Sequence, residues 1–169
     1  QLVLTDEAAA GKALLSHDDV DNVILTGASD TGALFRSWKP KMNIMAETSG
    51  KNALIITPAA DPDLAIDDLY NSAFGHSGQK CSAASLVIFV GAAGKSERLR
   101  TQLLDAVKTL KPGPGFDITT TMNGLAEAPS EKLLRGLTQL EPGEKWLLKP
   151  EKLNQEGTCL LYTSPSPRD

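Results

Sequence analysis

The chain has 169 residues, 41% of them hydrophobic and 22% charged, with a formal net charge of −4, a composition that suits a folded globular domain and excludes disordered or collagen-like chains. No uncharged apolar run is long enough to span a bilayer, and the mildly acidic balance lacks the basic footprint of a nucleic-acid binder. Leu2-Val3-Leu4 is too short for the apolar region of a signal peptide, so a cytoplasmic location is expected, with no membrane or nucleic-acid partner.

Along the chain, residues 21–27 form a β-branched apolar run closed by Gly27, which predicts a strand. Leu34, Phe35 and Trp38 then recur at helical spacing and predict a helix over 30–38. Residues 43–46 and 54–57 are short apolar runs of strand length, and the turn between them carries Glu47. A helix is predicted over 63–74, opened by Asp61-Pro62-Asp63 and ended or bent by Gly75 and Gly78. Residues 85–91 give the strongest strand signal, and Leu99, Leu103, Leu104, Val107 and Leu110 mark an amphipathic helix over 97–110. Residues 111–115 read as a loop and 131–140 as a last helix. This α/β order implies a mostly parallel sheet, with functional residues on connections at strand ends.

The two ends read differently. The chain begins at Gln1 and has its first methionine at Met42, which reads as a piece of a longer protein. The run from Cys159 to Asp169 resembles a translated sequencing-library adapter and is set apart from the fold; a natural Ser/Pro-rich tail is the alternative. Without Cys159, Cys81 has no disulfide partner, which suits a reducing compartment and leaves a lone thiol, either reactive or inert and buried.

Three motifs bear on chemistry. Cys81 lies in Phe74-Gly75-His76-Ser77-Gly78-Gln79-Lys80-Cys81-Ser82-Ala83, and Glu47, 34 residues earlier, in Ala46-Glu47-Thr48-Ser49-Gly50-Lys51. Thr26-Gly27-Ala28-Ser29-Asp30-Thr31-Gly32 joins a strand to a helix, where backbone N–H groups favour a phosphate, although a plain strand-to-helix turn has the same pattern. His76 has no partner at ligand spacing, so it reads as structural and no metal site is expected. Lys51 and Lys80 read as ordinary charges, and Trp38 and Trp146 as packing residues.

In this order and spacing, the glutamate and cysteine boxes resemble those of the aldehyde dehydrogenase superfamily. The resemblance implies the end of a Rossmann-type NAD-binding domain over 1–47 and the first part of an α/β catalytic domain over 48–158. It implies that the Cys81 thiolate attacks an aldehyde and forms a thiohemiacetal from which hydride leaves, with the Cys81 N–H helping to hold the oxyanion. It further implies that Glu47 activates water to hydrolyse the acyl-thioester. Gly27, Ala28, Gly32 and Thr48 are implied cofactor contacts; Ala28 stands where the family often has serine, which removes one hydroxyl. NAD is the implied cofactor, with NADP left open because the adenosine-binding elements of the family precede Gln1.

The longer runs from Ala46 to Ile55 and from Gly78 to Ala83 are similar to the branch that oxidises L-glutamate γ-semialdehyde (1-pyrroline-5-carboxylate) to glutamate in proline degradation. The version fused behind a proline dehydrogenase in bifunctional proline-utilisation enzymes is especially similar. In that branch the serine after the nucleophile meets the substrate carboxylate, which implies this role for Ser82. A homo-oligomeric parent is implied, and the fragment alone is expected to be inactive, because the family's oxyanion asparagine, Glu-x-Phe-Gly-Pro contact and oligomerisation strand lie outside it. The competing readings are an aldehyde dehydrogenase of different substrate, or a non-catalytic protein that keeps the fold.

Overall fold

The computed structural model describes residues 1–6, 9–48, 50–152 and 160–162, the last three by their backbone alone. Two compact units divide the chain, Gln1–Gly50 and Lys51–Asp169, and each has its own core.

In the first unit a short helix α1 (Ala10–Ser16) precedes β1 (Asn22–Gly27), α2 (Ser29–Trp38) and β2 (Asn43–Thr48). The strands pair in parallel from Asn22 against Asn43 to Gly27 against Thr48, so α2 is the crossover that parallel pairing requires. Alternation along β1 turns Val23 and Leu25 inward, where they meet Phe35 of α2 and Met42, while Ile24 between them is 77% exposed. The ring of Trp38 lies 5.1 Å from that of Phe35, which is the packing role expected of it. Lys39 at the end of α2 donates through Nζ to the carbonyls of His17 and Val20, at 2.9 and 3.0 Å, tying the α1–β1 connection to the crossover. The sequence pattern did not mark α1. Its one buried residue is Gly11, whose place is set by the Asp6 carbonyl only 2.4 Å from where a Cβ would stand.

The second unit repeats the logic with β3 (Asn52–Ile56), α3 (Pro62–Phe74) and β4 (Ala84–Phe89). β3 and β4 are parallel, and the register shifts by one residue between Asn52, opposite Ala84, and Ala53, opposite Leu86. The Asp61 carboxylate accepts from the N–H groups of Asp63 and Leu64 at 2.9 and 3.1 Å, and Pro62 fills the first turn, so α3 starts where those residues direct it. A turn over Gly91–Lys95 leads to α4 (Glu97–Lys108), capped by Ser96. Ile56, Ile66, Leu69, Ala93 and Leu99 form the core between strands and helices. Ile56 and Leu69 are each only 2% exposed, a burial that contributes on the order of 2 kcal/mol per side chain.

A second cluster joins Val107 and Leu110 to Met122 and Leu148. The short strands β5 (Pro112–Gly113) and β6 (Met122–Asn123) pair in parallel. α5 (Glu131–Thr138) is capped by Ser130, and β7 (Pro150–Lys152) pairs antiparallel with β8 (Leu160–Tyr162). β8 lies within the stretch that the sequence reading set apart; the remainder of 159–169 lies outside the described residues. α4 ends two residues before the apolar stripe does: Leu110 is buried, yet its N–H donates to Val107 in a tighter turn. Among the described residues no helix is long and apolar enough to cross a membrane.

Arg98 of α4 reaches the Asp63 carboxylate of α3 at 2.9 and 3.1 Å, and Gln102 donates to the same group. The Gln102 and Arg98 hydrogen bonds, with the guanidinium charge, hold Asp63 below the usual carboxylate range. Because the folded-state pKa is lowered, this contribution is present above the unfolded value and is lost as pH falls through the folded one. Asp63→Asn is therefore expected to lower the thermal unfolding midpoint at neutral pH, with the difference from wild type vanishing in strong acid; a difference that persists unchanged there would show another cause.

Candidate active site

The segment that carries Cys81 leaves α3, bends through a turn at Gly75–Gly78 and enters β4. The Ala83 N–H donates to the Lys80 carbonyl at 3.1 Å, making a β-turn whose two central residues are Cys81 and Ser82. Ala83 is buried and anchors the turn, whereas Cys81 and Ser82 are exposed. Cys81 is the free thiol of the described residues. It stands on the connection just before the amino end of β4, a strand end as the α/β pattern leads one to expect. The crossover helix feeds into this turn.

Three side chains hold the turn. Asn52, the first residue of β3, donates through Nδ2 to the Cys81 carbonyl at 2.5 Å and to the Ala83 carbonyl at 3.1 Å. Ser72 of α3 accepts from the Ala84 N–H at 3.1 Å. Gln79 donates to the carbonyls of His76 and Gly124, at 2.9 and 3.2 Å, and accepts from the Ala126 N–H at 2.9 Å. Sequence reasoning used Gln79 only as part of a motif and passed over Asn52 and Ser72. A polar residue opening a strand is the one local signal for Asn52, and nothing in the spacing links it to a residue 29 positions on.

The approach to the turn is strained. His76 and Ser77 have φ of 52° and 55°, and Gly78 has φ of 70°, three consecutive left-handed residues. For His76 and Ser77 this costs roughly 1–2 kcal/mol each. Opposing that cost, the Ser77 hydroxyl donates to the Asn123 carbonyl, and Gln79 spans the same loops. His76 is exposed, and among the described residues no group of three His, Cys, Asp or Glu is placed to hold a metal ion.

Glu47 was expected on a connection between strands; instead it lies inside β2, paired with Thr26 of β1. β1 continues to Gly27, and the ladder it offers extends β2 to Thr48. Parallel register places Thr26 and Glu47 on the same face as Ile24 and Met45, away from the Val23–Leu25 face that α2 covers. Glu47 is exposed. It belongs to the first compact unit and Cys81 to the second. Ser49 of the same box lies outside the described residues.

The four proposed cofactor contacts come together at one end of the β1–β2 pair. Gly27 and Thr48 are direct partners at the carboxyl ends of the two strands, Ala28 is the N-cap of α2, and Gly32 donates to the Ala28 carbonyl at 3.3 Å. The methyl of Ala28 makes no side-chain cap, so the first turn of α2 offers backbone N–H groups to an anionic ligand. This donor set fits a dinucleotide phosphate. Asp30 in the same turn weakens the field that such a group would feel.

A family model described as the aldehyde dehydrogenase family matches residues 1–156. The chain belongs to the aldehyde dehydrogenase family. Members of this family are oxidoreductases acting on aldehydes. The N-succinylglutamate 5-semialdehyde dehydrogenases of Salmonella schwarzengrund (strain CVM19633) and Salmonella typhimurium are each 35% identical over 158 residues, 89% of this chain and 32% of their own length. Proline Utilization A from Corynebacterium freiburgense matches with a TM-score of 0.89 and 66% identity over 95% of this chain and 16% of that one. Betaine aldehyde dehydrogenase from Staphylococcus aureus, in complex with NAD+, matches with a TM-score of 0.67 and 34% identity over 72% of this chain and 24% of that one. The chain thus spans about a third of the length of the curated relatives it matches.

The left-handed turn makes a direct test of its own strain. A Cβ on Gly78 would stand 3.1 Å from the Ala73 carbonyl at a φ that L-residues avoid. Gly78→Ala is expected to cost about 1–2 kcal/mol in chemical denaturation, whereas Gly136→Ala, with open space around it, should cost nothing.

Proposed function

We propose that this chain is part of an NAD-dependent dehydrogenase that oxidises L-glutamate γ-semialdehyde to L-glutamate in proline degradation. The observation that carries the reading is the 66% identity to Proline Utilization A over 95% of the chain, and the cysteine and glutamate boxes both lie within the residues 1–156 that the family model matches. On this reading, 1–47 closes a nucleotide-binding domain and 48–158 opens the thiol domain. The whole protein is a cytoplasmic homo-oligomer fused to a proline dehydrogenase.

The Sγ of Cys81, as thiolate, bonds to the aldehyde carbon and the carbonyl oxygen becomes an alkoxide, which the Cys81 N–H helps to hold. NAD, when bound, would supply the hydride acceptor at this carbon, and loss of the hydride would leave an acyl-thioester on Cys81. Glu47 takes a proton from water, the water oxygen attacks the acyl carbon, and the C–S bond breaks to release carboxylate and thiolate. Ser82, beside the thiol in the same β-turn, donates its hydroxyl to the carboxylate end of the substrate. Gly27, Ala28, Gly32 and Thr48 orient the dinucleotide from the carboxyl ends of β1 and β2. The neighbour in complex with NAD+ supports the cofactor type.

A second reading keeps the same chemistry with another substrate. The 35% identity to N-succinylglutamate 5-semialdehyde dehydrogenases favours an N-acylated relative of the same aldehyde.

The experiment follows NADH absorbance in a full-length protein carrying this segment, with L-glutamate γ-semialdehyde and with its N-succinyl derivative. Cys81→Ala is expected to bring NADH formation to background; undiminished turnover would remove Cys81 from the mechanism. Glu47→Gln is expected to keep a first burst of NADH while steady turnover falls by about 100-fold or more. A faster rate with the succinylated substrate would move the assignment to the second reading.

A further inference from the structure

Asn52 is not one of the residues that the chemistry above requires, yet it makes the two hydrogen bonds that frame the thiol turn. Its one amide nitrogen has two protons, and they go to the carbonyls of Cys81 and Ala83, on either side of Ser82, at 2.5 and 3.1 Å. A residue in a regular parallel ladder has no need to spend its side chain on the partner's backbone. Here the register between β3 and β4 shifts between Asn52 and Ala53, so the start of β4 leaves the regular ladder where the turn must leave it. The side-chain amide takes the place of the ladder there.

We propose that Asn52 is the positioning residue of the nucleophile turn. By pinning the two carbonyls inward it fixes the peptide planes that follow Cys81 and Ala83, and hence the direction of the thiol and of the Ser82 N–H beside it. The inference rests on the reading of Cys81 as nucleophile and adds a residue that acts through it. Asn52 does not touch the aldehyde; it fixes the angle of attack, and a misplacement of about 1 Å at such a centre can cost on the order of 100-fold in rate.

The geometry distinguishes a donor from a space-filler. Asp has the shape of Asn but, when ionised, presents two acceptors to two carbonyl oxygens; when protonated it regains one donor. Its neutral form alone can bond there, so its pKa would rise above the ordinary value of about 3.9. Asn52→Ala and Asn52→Asp are therefore compared with wild type in the full-length protein, with NAD and L-glutamate γ-semialdehyde. Expected in Asn52→Ala is a kcat lower by roughly 10- to 100-fold, with KM for both substrates within about twofold of wild type. In Asn52→Asp the loss at pH 8 should be at least as large, and the ratio of its kcat to wild type should rise as pH falls, while the Asn52→Ala ratio stays level.

Wild-type kcat for Asn52→Asp at pH 8, a loss confined to KM, or a ratio that ignores pH would each overturn the proposal. Should Asn52→Ala not fold, the isosteric Asn52→Asp decides by its own pH profile. Cys81→Ala run beside them separates the two readings: turnover without the thiol sinks the nucleophile assignment itself, whereas loss in Cys81→Ala with full activity in Asn52→Asp sinks only the role of Asn52.

Discussion

Parallel strands cannot be joined by a tight turn, and the structure of both units follows from that constraint. The longer pairs, β1–β2 and β3–β4, are each joined by a crossover helix, and each helix must present one apolar face to the sheet. α2 supplies Phe35 to Val23 and Leu25, and α3 supplies Ile66 and Leu69 to Ile56. The crossover also decides where chemistry can stand. The return from α3 to β4 is where Cys81 lies, and the exit from β1 into α2 is where Gly27 and Ala28 lie.

Around Cys81 the backbone is forced and then restrained. Left-handed φ at His76, Ser77 and Gly78 sends the chain out of α3 in a direction that an ordinary helix end would not give. Gln79, Ser77, Ser72 and Asn52 then tie it to three different places: the 123–126 loop, the last turns of α3, and the start of β3. The result is an exposed thiol on an anchored turn. The nucleophile role proposed for Cys81 needs access to substrate together with surrounding atoms that do not move during attack.

Glu47 is held by a different device. It takes its direction from strand alternation, which commits every second residue of β2 to the face opposite α2. A slip of one residue in the β1–β2 register would send Glu47 toward the helix and Thr48 away from Gly27. Ile44 of β2, packed against the Val23–Leu25 cluster, guards that register, because the same slip would turn it away from the core. Core packing in the first unit thus sets the orientation of a residue proposed for catalysis.

The sequence alone determined the element types and much of their order, because apolar periodicity and punctuation by Asp61-Pro62, Gly75 and Gly91 are local signals. It also carried the resemblance, since a thiol in a Gly-Gln-Lys-Cys run and a glutamate box can be read without coordinates, and the family match bears out that resemblance. Tertiary structure decided the rest. Glu47 moved from a turn into a strand because β1 offered two further rungs of ladder, which residues 43–46 by themselves do not reveal. α1 escaped because seven residues with one buried glycine carry no periodic stripe. Asn52 acquired its place from a register shift and from a partner 29 residues away, and hydrogen bonds across that distance leave no pattern in the chain. Local propensity is written in neighbouring residues, whereas the aim of a side chain is settled only when distant segments pack.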